Sequence, residues 1–341
     1  MLGKVLESLY NKVLINIIVK RSSCEVFVEV CSKKGTKEEV HHTFETTTLN
    51  EKMISFITEY IKESPYYYIS ILDTSSKQGA IPTCKKNQLD SYTDLSFSEY
   101  KCYKSEWIYY TLKADIYSIE KDFQKIGVDF IFSPFLLLRY FFKDKINSKL
   151  AMYILIEDSA LFLAIFEMDQ LLFAQRLGVN FVEEVDDELL SHNINEENEM
   201  SMGDDISIDL EDIDVIDEIE SLEDFGDIED LDSLEDIDEF SEDEDLEEEL
   251  PSVEESPQEE KQTTFNEDYQ RFSLIQASLG HFYNDDKYES KFIENVYIAD
   301  AIGVSPDLKR YLEEEMFLNV YVRELNLSRE LSKVAKVELG L

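Results

Sequence analysis

Apolar residues in this chain recur with two different periods, and the two alternate along most of its length. Val13–Lys20 (VLINIIVK) is a β-rich run. A polar Arg-Ser-Ser-Cys turn separates it from Glu25–Cys31, where Val26, Val28 and Val30 alternate with Glu25, Phe27 and Glu29, which predicts a hairpin. Glu38–Thr47 supplies a third strand. From Asn50 to Glu63 the spacing of Met53, Ile54, Ile57 and Ile61 is helical, with Asn50 as N-cap and Ser64-Pro65 as the stop. Tyr66–Leu72 reads as a buried strand, and Thr74–Tyr103 as a polar, irregular stretch. A strand over Glu106–Leu112 follows. The helix over Asp115–Ile126, closed by Gly127, leads into a short strand at Val128–Phe132. Ser133-Pro134 then opens a helix carrying Phe135, Leu138 and Phe142.

The second half repeats the plan. Ala151–Ile156, Ala160–Glu167 and Gln170–Gly178 are three consecutive strands, turned at Glu157-Asp158-Ser159 and Met168-Asp169. A helix over Phe265–Phe282 (Phe272, Ile275, Leu279) precedes a strand at Glu294–Ala299. A second Ser-Pro start, Ser305-Pro306, opens a helix to about Met316. Leu318–Val322 is the last strand and Leu331–Leu341 a closing helix. Each half thus begins with a three-strand meander, followed by helices alternating with single strands. This is a duplicated α/β pattern, without repetition of the sequence itself.

Charge divides the chain into two materials. Its 341 residues carry a net −43, yet Glu183–Glu260 holds 38 Asp or Glu and no Lys or Arg, so the remainder is close to neutral. The acidic insert is expected to be disordered. Within it Leu210, Ile213, Ile216, Ile219, Leu222, Phe225, Ile228, Leu231, Leu234, Ile237 and Phe240 recur at every third position. Three residues turn an α-helix by 300°, so this row drifts around the axis and forms no apolar face. It reads either as a solubilising linker or as a multivalent docking segment, with Ile213, Ile216, Ile219, Leu222, Phe225, Ile228, Leu231 and Leu234 as the contact candidates. A field of this sign disfavours direct nucleic-acid binding, and no basic stripe argues otherwise.

Little else carries chemistry. Met1–Lys12 lacks the apolar core of a signal peptide, and the greasiest run, Phe130–Phe142, is too short and interrupted to span a bilayer. The expectation is a soluble, cytoplasmic protein without a transmembrane segment. Cys24, Cys31, Cys84 and Cys102 are scattered without a CxxC pair, which predicts reduced thiols and no zinc site. Cys24 is a candidate reactive thiol, but no His lies near it in sequence. His41 and His42 are adjacent on a strand, point to opposite faces and cannot readily share a metal. No G-x-S-x-G, HExxH, P-loop or EF-hand spacing occurs.

A meander followed by αβαβα, twice over, is the layout of the actin-like ATPase superfamily. Ala151–Gly178 resembles the second-lobe meander of the actin-like accessory proteins of type IV pili. It is similar also to the cytoplasmic domain of the L-type protein of type II secretion systems. Met168-Asp169-Gln170 followed by Leu171-Leu172-Phe173 matches a "DGQLLF"-like turn, and Asn295–Glu324 and Val334–Leu341 resemble that family's closing elements. The resemblance implies a two-lobe actin-like (ribonuclease H-like, duplicated) α/β fold with a long disordered acidic insertion in the second lobe. Residues 1–143 form the first lobe, with 74–105 as an irregular loop or small subdomain. Residues 144–182 and 265–341 form the second lobe, and 183–264 the insert.

The same resemblance places the phosphate-binding turns, and each departs from the family. Where ATP-binding members have an Asp and a Gly in "DIGSSSVK", this chain has Asn16 and no Gly before Lys20, Arg21 and Ser22. Glu157-Asp158-Ser159 lacks the Gly of the second turn. Ala299–Ser305 retains only Gly303 of the glycine-rich adenosine loop. Asn16, Lys20, Ser22, Asp158, Ser159 and Gly303 are therefore degenerate phosphate-loop positions, with no catalytic or metal-binding residue among them. The resemblance implies a non-catalytic scaffold without a cofactor, cytoplasmic or peripheral at the inner membrane, in a bacterial type IV pilus, type II secretion or DNA-uptake apparatus. Its partners would be the tail of an inner-membrane protein and cytoplasmic components of the machine. The alternative is an active actin-like ATPase holding ATP between the lobes.

Overall fold

The computed structural model of the chain describes residues 10–147, 149–179, 257–286, 291–304 and 306–341. The period-three residues, Ile213 to Leu234 among them, lie outside the described residues.

The first sheet is built from β1 (Lys12–Val19), β2 (Cys24–Ser32), β3 (Gly35–Phe44), β4 (Tyr67–Leu72) and β8 (Phe130–Phe132), in the order β3-β2-β1-β4-β8. β1, β2 and β3 form an antiparallel meander, while β4 and β8 add in parallel. The second sheet repeats that order with β9 (Ala151–Ile156), β10 (Ala160–Glu167), β11 (Gln170–Gly178), β12 (Asn295–Asp300) and β13 (Asn319–Glu324): β11-β10-β9-β12-β13. β12 and β13 are again parallel to the first meander strand's side of the sheet. This duplicated topology is the two-lobed actin-like arrangement.

Local chemistry explains most boundaries. The three strands of the second meander fall where the apolar runs and the turns at 157–159 and 168–169 put them. Met168 and Asp169 both take positive φ (48° and 74°), as a two-residue hairpin turn between Glu167 and Gln170 requires. Helix α1 (Glu51–Ile61) is capped by Asn50, whose Oδ1 accepts the Met53 amide at 2.9 Å. The Ser133 hydroxyl caps α4 (Pro134–Phe141), accepting the Phe135 amide at 3.3 Å, with Pro134 in the first turn. α5 (Pro257–Asn284) begins eight residues earlier than the apolar spacing predicted, because its first turns carry no apolar stripe. α6 (Pro306–Glu314) and α7 (Leu327–Leu339) complete the second half, and Asn326 caps α7 one turn upstream of the predicted start.

The stretch expected to be an irregular loop or a small subdomain contains strands of a separate small sheet. β5 (Gln78–Ile81), the short α2 (Lys86–Leu89) and β6 (Ser98–Tyr103) join β7 (Trp107–Leu112) in a sheet of order β5-β7-β6. β6 reads SEYKCY and is exposed over its middle, so no buried face imposes an alternating pattern on it. One face of this sheet, with Ala80, Tyr103 and Trp107, joins the main core; the other covers a minor core of Ile81, Leu89 and Ile108. Helix α3 (Lys113–Asp122) follows.

The four cysteines require a correction. Cys84 and Cys102 are bonded as a disulfide, with Cα atoms 5.8 Å apart; Cys24 and Cys31 remain thiols. A sequence separation of 18 concealed the pair, because the chain leaves β5, crosses the outer face of the small sheet and returns as β6. Burial pushes the Cys24 thiol up to about 12, with the Glu25 carboxylate adding to it, so Cys24 is an unreactive core residue.

The main core is shared by both sheets. Phe135 and Leu138 of α4, with Phe142 at its C-cap, pack with Tyr153, Phe162 and Phe166 of the second sheet and with Leu331 and Val334 of α7. α7 lies against the first sheet and is tied to it by Glu29 of β2, a buried carboxylate. Glu29 accepts from Thr36 Oγ1 at 2.5 Å, from Ser332 Oγ at 2.6 Å and from the Lys336 ammonium.

Candidate functional site

Between the two sheets lies a cleft of about 140 Å³, where the phosphate-loop positions were expected to meet. Lys20, Arg21, Asp158 and Ser159 line it; Asn16, Ser22 and Gly303 do not. A pocket that takes a nucleotide has several hundred cubic ångströms, roughly 300–1,000. The residues that shrink this one were not singled out from the sequence. Ile18, near the missing Gly, and Leu327 of α7 both project into it. The only sequence signal was the absence of Gly itself.

Its polar groups are already engaged. Asn16 is fully buried on β1: the Ser70 hydroxyl donates to its Oδ1 at 2.6 Å, and its Nδ2 donates to the Phe27 carbonyl at 3.4 Å. Lys20 Nζ pairs with Glu25 at 2.5 Å, and Arg21 Nη2 donates to the Val179 carbonyl at 3.1 Å. Ser22 sits exposed in the turn that closes when the Lys20 amide bonds the Ser23 carbonyl at 2.8 Å. The adenosine-loop amides are taken by a carboxylate of the chain itself. Asp300 accepts from Ile302 N (3.1 Å), Gly303 N (2.8 Å) and Val304 N (2.9 Å). Gly303, at φ 81°, permits this nest. The equivalent residue of the first lobe, Asp73, accepts from Ser75 N at 2.9 Å and from Thr111 Oγ1 at 2.6 Å.

The lining of the cleft sets two carboxyl groups, Glu157 and Asp158, beside its two cations, Lys20 and Arg21. Glu157 is 5% exposed, and burial pushes its carboxyl up to about 7, against the Ser159 hydroxyl and the Arg176 guanidinium, which favour the charged form. A polyphosphate would face Glu157 and Asp158, with Lys20 and Arg21 already bonded elsewhere.

A larger recess of about 410 Å³ lies in the first lobe, between two strand edges. One wall is β6, with Glu99, Tyr100 and Lys101; the other is β8, with Asp129 to Phe132. Both are the outermost strands of their sheets, so each turns unpaired backbone groups outward. Tyr109 and Tyr110 of β7 line the floor, with Ile116 and Glu120 of α3 beside them. Tyr100 is 42% exposed. Lys101 reaches Glu338 at 3.5 Å, whereas Glu99 and Glu120, both exposed, make no ion pair among the described residues. The Asp129 carboxylate accepts the Ile69 amide at 2.8 Å and fixes the start of β8. The rim is thus acidic and the lining aromatic. Nothing in the sequence announced it, because the Ser98–Tyr103 and Phe130–Phe132 edges meet only in the folded chain.

The remaining candidates separate. His41 lies 3.5 Å from Glu25, while His42 stacks on Phe56 with ring centroids 5.3 Å apart, so the two imidazoles face opposite sides of β3. Among the described residues no group of His, Cys, Asp and Glu could hold a metal ion, and no helix is long and apolar enough to cross a membrane.

Two family models match, "Domain of unknown function (DUF8569)" over residues 10–139 and "Domain of unknown function (DUF8341)" over residues 152–340. No curated protein matches the chain. Among solved structures it is similar to a Bacteroides thetaiotaomicron VPI-5482 protein with an actin-like ATPase fold and unknown function. That match has 11% identity and a TM-score of 0.47, over 95% of this chain and 96% of that one. It is similar to a PilM-PilN type IV pilus biogenesis complex at 9% identity, 94% of either chain and a TM-score of 0.46. It is also similar to MreB 5 of Spiroplasma citri bound to AMPPNP, at 10% identity, 97% of this chain, 99% of that one and a TM-score of 0.44.

Proposed function

The chain belongs to the family described as "Domain of unknown function (DUF8341)", and from its own geometry we propose that it is a non-catalytic scaffold holding an extended, cationic and apolar segment of a partner protein. The observation that carries this reading is the recess between the β6 and β8 edges. An extended peptide laid there would pair with free strand backbone, seat an apolar side chain on Tyr109, and place cations by Glu99 and Glu120. The resemblance of Ala151–Gly178 and Asn295–Glu324 to the pilus and secretion family extends the proposal. The segment is then the cytoplasmic tail of an inner-membrane protein in a pilus, secretion or DNA-uptake apparatus, with this chain beneath the membrane.

The interlobe cleft supports the non-catalytic half of the reading. It is small, its donors are occupied, and Ile18 stands where a phosphate would approach. No observation favours the ATPase alternative.

The test uses the full chain and a ten-residue peptide of alternating Leu and Lys, read by amide hydrogen exchange so that contact with the acidic insert is not mistaken for docking. The peptide is expected to slow exchange at 98–103 and 128–133, and E99K/E120K to weaken that footprint about tenfold. An unchanged exchange pattern at both edges sinks the docking site. A thermal shift of several degrees with Mg-ATP at micromolar concentration would overturn the non-catalytic reading.

A further inference from the structure

We propose that the Cys84–Cys102 disulfide is a reducible strap holding the outer wall of the β6–β8 recess, so that thiol redox state governs whether an extended segment is retained there. The second half of this rests on the docking reading above; the strap itself does not.

The argument starts from the small sheet. Its inner face is anchored by Trp107 and Tyr103 in the main core. Its outer face carries the 82–97 segment over a small core, with Ile81, Leu89 and Ile108 buried and Cys84, Tyr92, Leu95 and Tyr110 partly so. A core this small gains from a covalent staple. Cys102 supplies it. It sits on β6 opposite Ile108 and is bonded to Cys84 at the start of the cover. The closed segment constrains β6 at the residue next to Lys101, and Glu99, Tyr100 and Lys101 form the wall of the recess. The strap is also the reachable disulfide: Cys102 is exposed and Cys84 half-buried, whereas Cys24 is buried and inert.

The redox step is a thiol–disulfide exchange. A dithiol attacks one sulfur of the strap, the Cys84–Cys102 bond breaks, and the second thiol of the reductant closes its own disulfide. Two electrons and two protons pass to the protein, leaving two cysteine thiols. Glutathione disulfide reverses the reaction.

Amide hydrogen exchange of the full chain, oxidised and after dithiothreitol, tests both halves. Reduction is expected to speed exchange over 82–103 at least about tenfold while the strands of the second sheet stay unchanged. It should also weaken the footprint of the Leu-Lys peptide at 128–133 by at least about tenfold. Glutathione disulfide should restore both, and C84S/C102S should behave like reduced protein and ignore dithiothreitol. Identical exchange over 82–103 in the two states overturns the strap. A peptide footprint equal in both states overturns redox control and leaves the docking site standing. Faster exchange on reduction with no footprint in either state overturns the docking site and leaves the strap standing.

Discussion

At the scale of single residues, two buried polar groups decide what the cleft is. Asn16 holds the place of the family's acid, and its amide is matched to its surroundings, with Nδ2 on the Phe27 carbonyl and Oδ1 under the Ser70 hydroxyl. Restoring the acid with Asn16→Asp sets a carboxylate oxygen against that carbonyl. It should therefore destabilise the protein by about 2–3 kcal/mol in urea titrations and confer no ATP binding. Glu157 is the second group. Its folded value, about 7, lies above the ordinary carboxylate value, so between the two the native state binds the extra proton. Stability from this group is then present at low pH and is lost as pH rises through about 7. Glu157→Gln should remove that slope and stabilise the protein above neutrality by roughly 3 kcal/mol at most, measured as the difference between urea midpoints at pH 5 and pH 8. The sequence reads a strand at Asn16 and an acidic turn at Glu157, and the structure has Asn16 within β1 and Glu157 just past β9. The sequence did not reveal that Ile18 lines the cleft beside Glu157, or that Asp300 takes the amides of Ile302, Gly303 and Val304.

At the scale of elements, α7 is the informative one. Its apolar side fills the main core, and its Ser332 and Lys336 meet Glu29 across the lobe boundary. Burial raises the Glu29 carboxyl, but the hydrogen bonds from Lys336, Ser332 and Thr36 outweigh it and hold the group below its ordinary range. Here the unfolded chain binds the proton more readily, so this contribution is present above the unfolded value and is lost as pH falls through the lower folded one. Lys336→Met leaves the carboxylate buried with two hydroxyl donors. It should cost about 2–3 kcal/mol near neutrality, with a smaller loss below pH about 4, read from thermal midpoints. Element by element, legibility followed burial. β9 and β10 are continuous apolar runs ended by the turns Glu157-Asp158-Ser159 and Met168-Asp169, and β11 ends at Gly178, so their bounds could be read directly. β5 and β6 are short or exposed, and neither face of the chain there reports a core.

At the scale of the whole molecule, the two sheets share one interior. Trp107, the only tryptophan, stands at that junction with its ring centroid 6.3 Å from Phe166 of β10. If the shared core makes unfolding cooperative, the Trp107 fluorescence transition in urea should coincide with the far-ultraviolet circular dichroism transition within about 0.2 M. An earlier fluorescence transition would show the first lobe melting alone. The net charge of −43, so prominent in the sequence, bears little on this interior, because 38 of the acids fall in the insert.

The sequence by itself determined the order of strands and helices, the duplication and the absence of glycine at Asn16–Ser22 and at Glu157–Ser159. These are local properties: side-chain period, capping residues and backbone freedom are set by neighbours a few positions away. Tertiary structure alone decided the rest. It brought Cys84 to Cys102, lined the interlobe cleft with Ile18 and Leu327, and opened a recess between β6 and β8. Each depends on which strand lies at a sheet's edge and which side chain meets which across 18 to 309 positions of chain, and no local period encodes that.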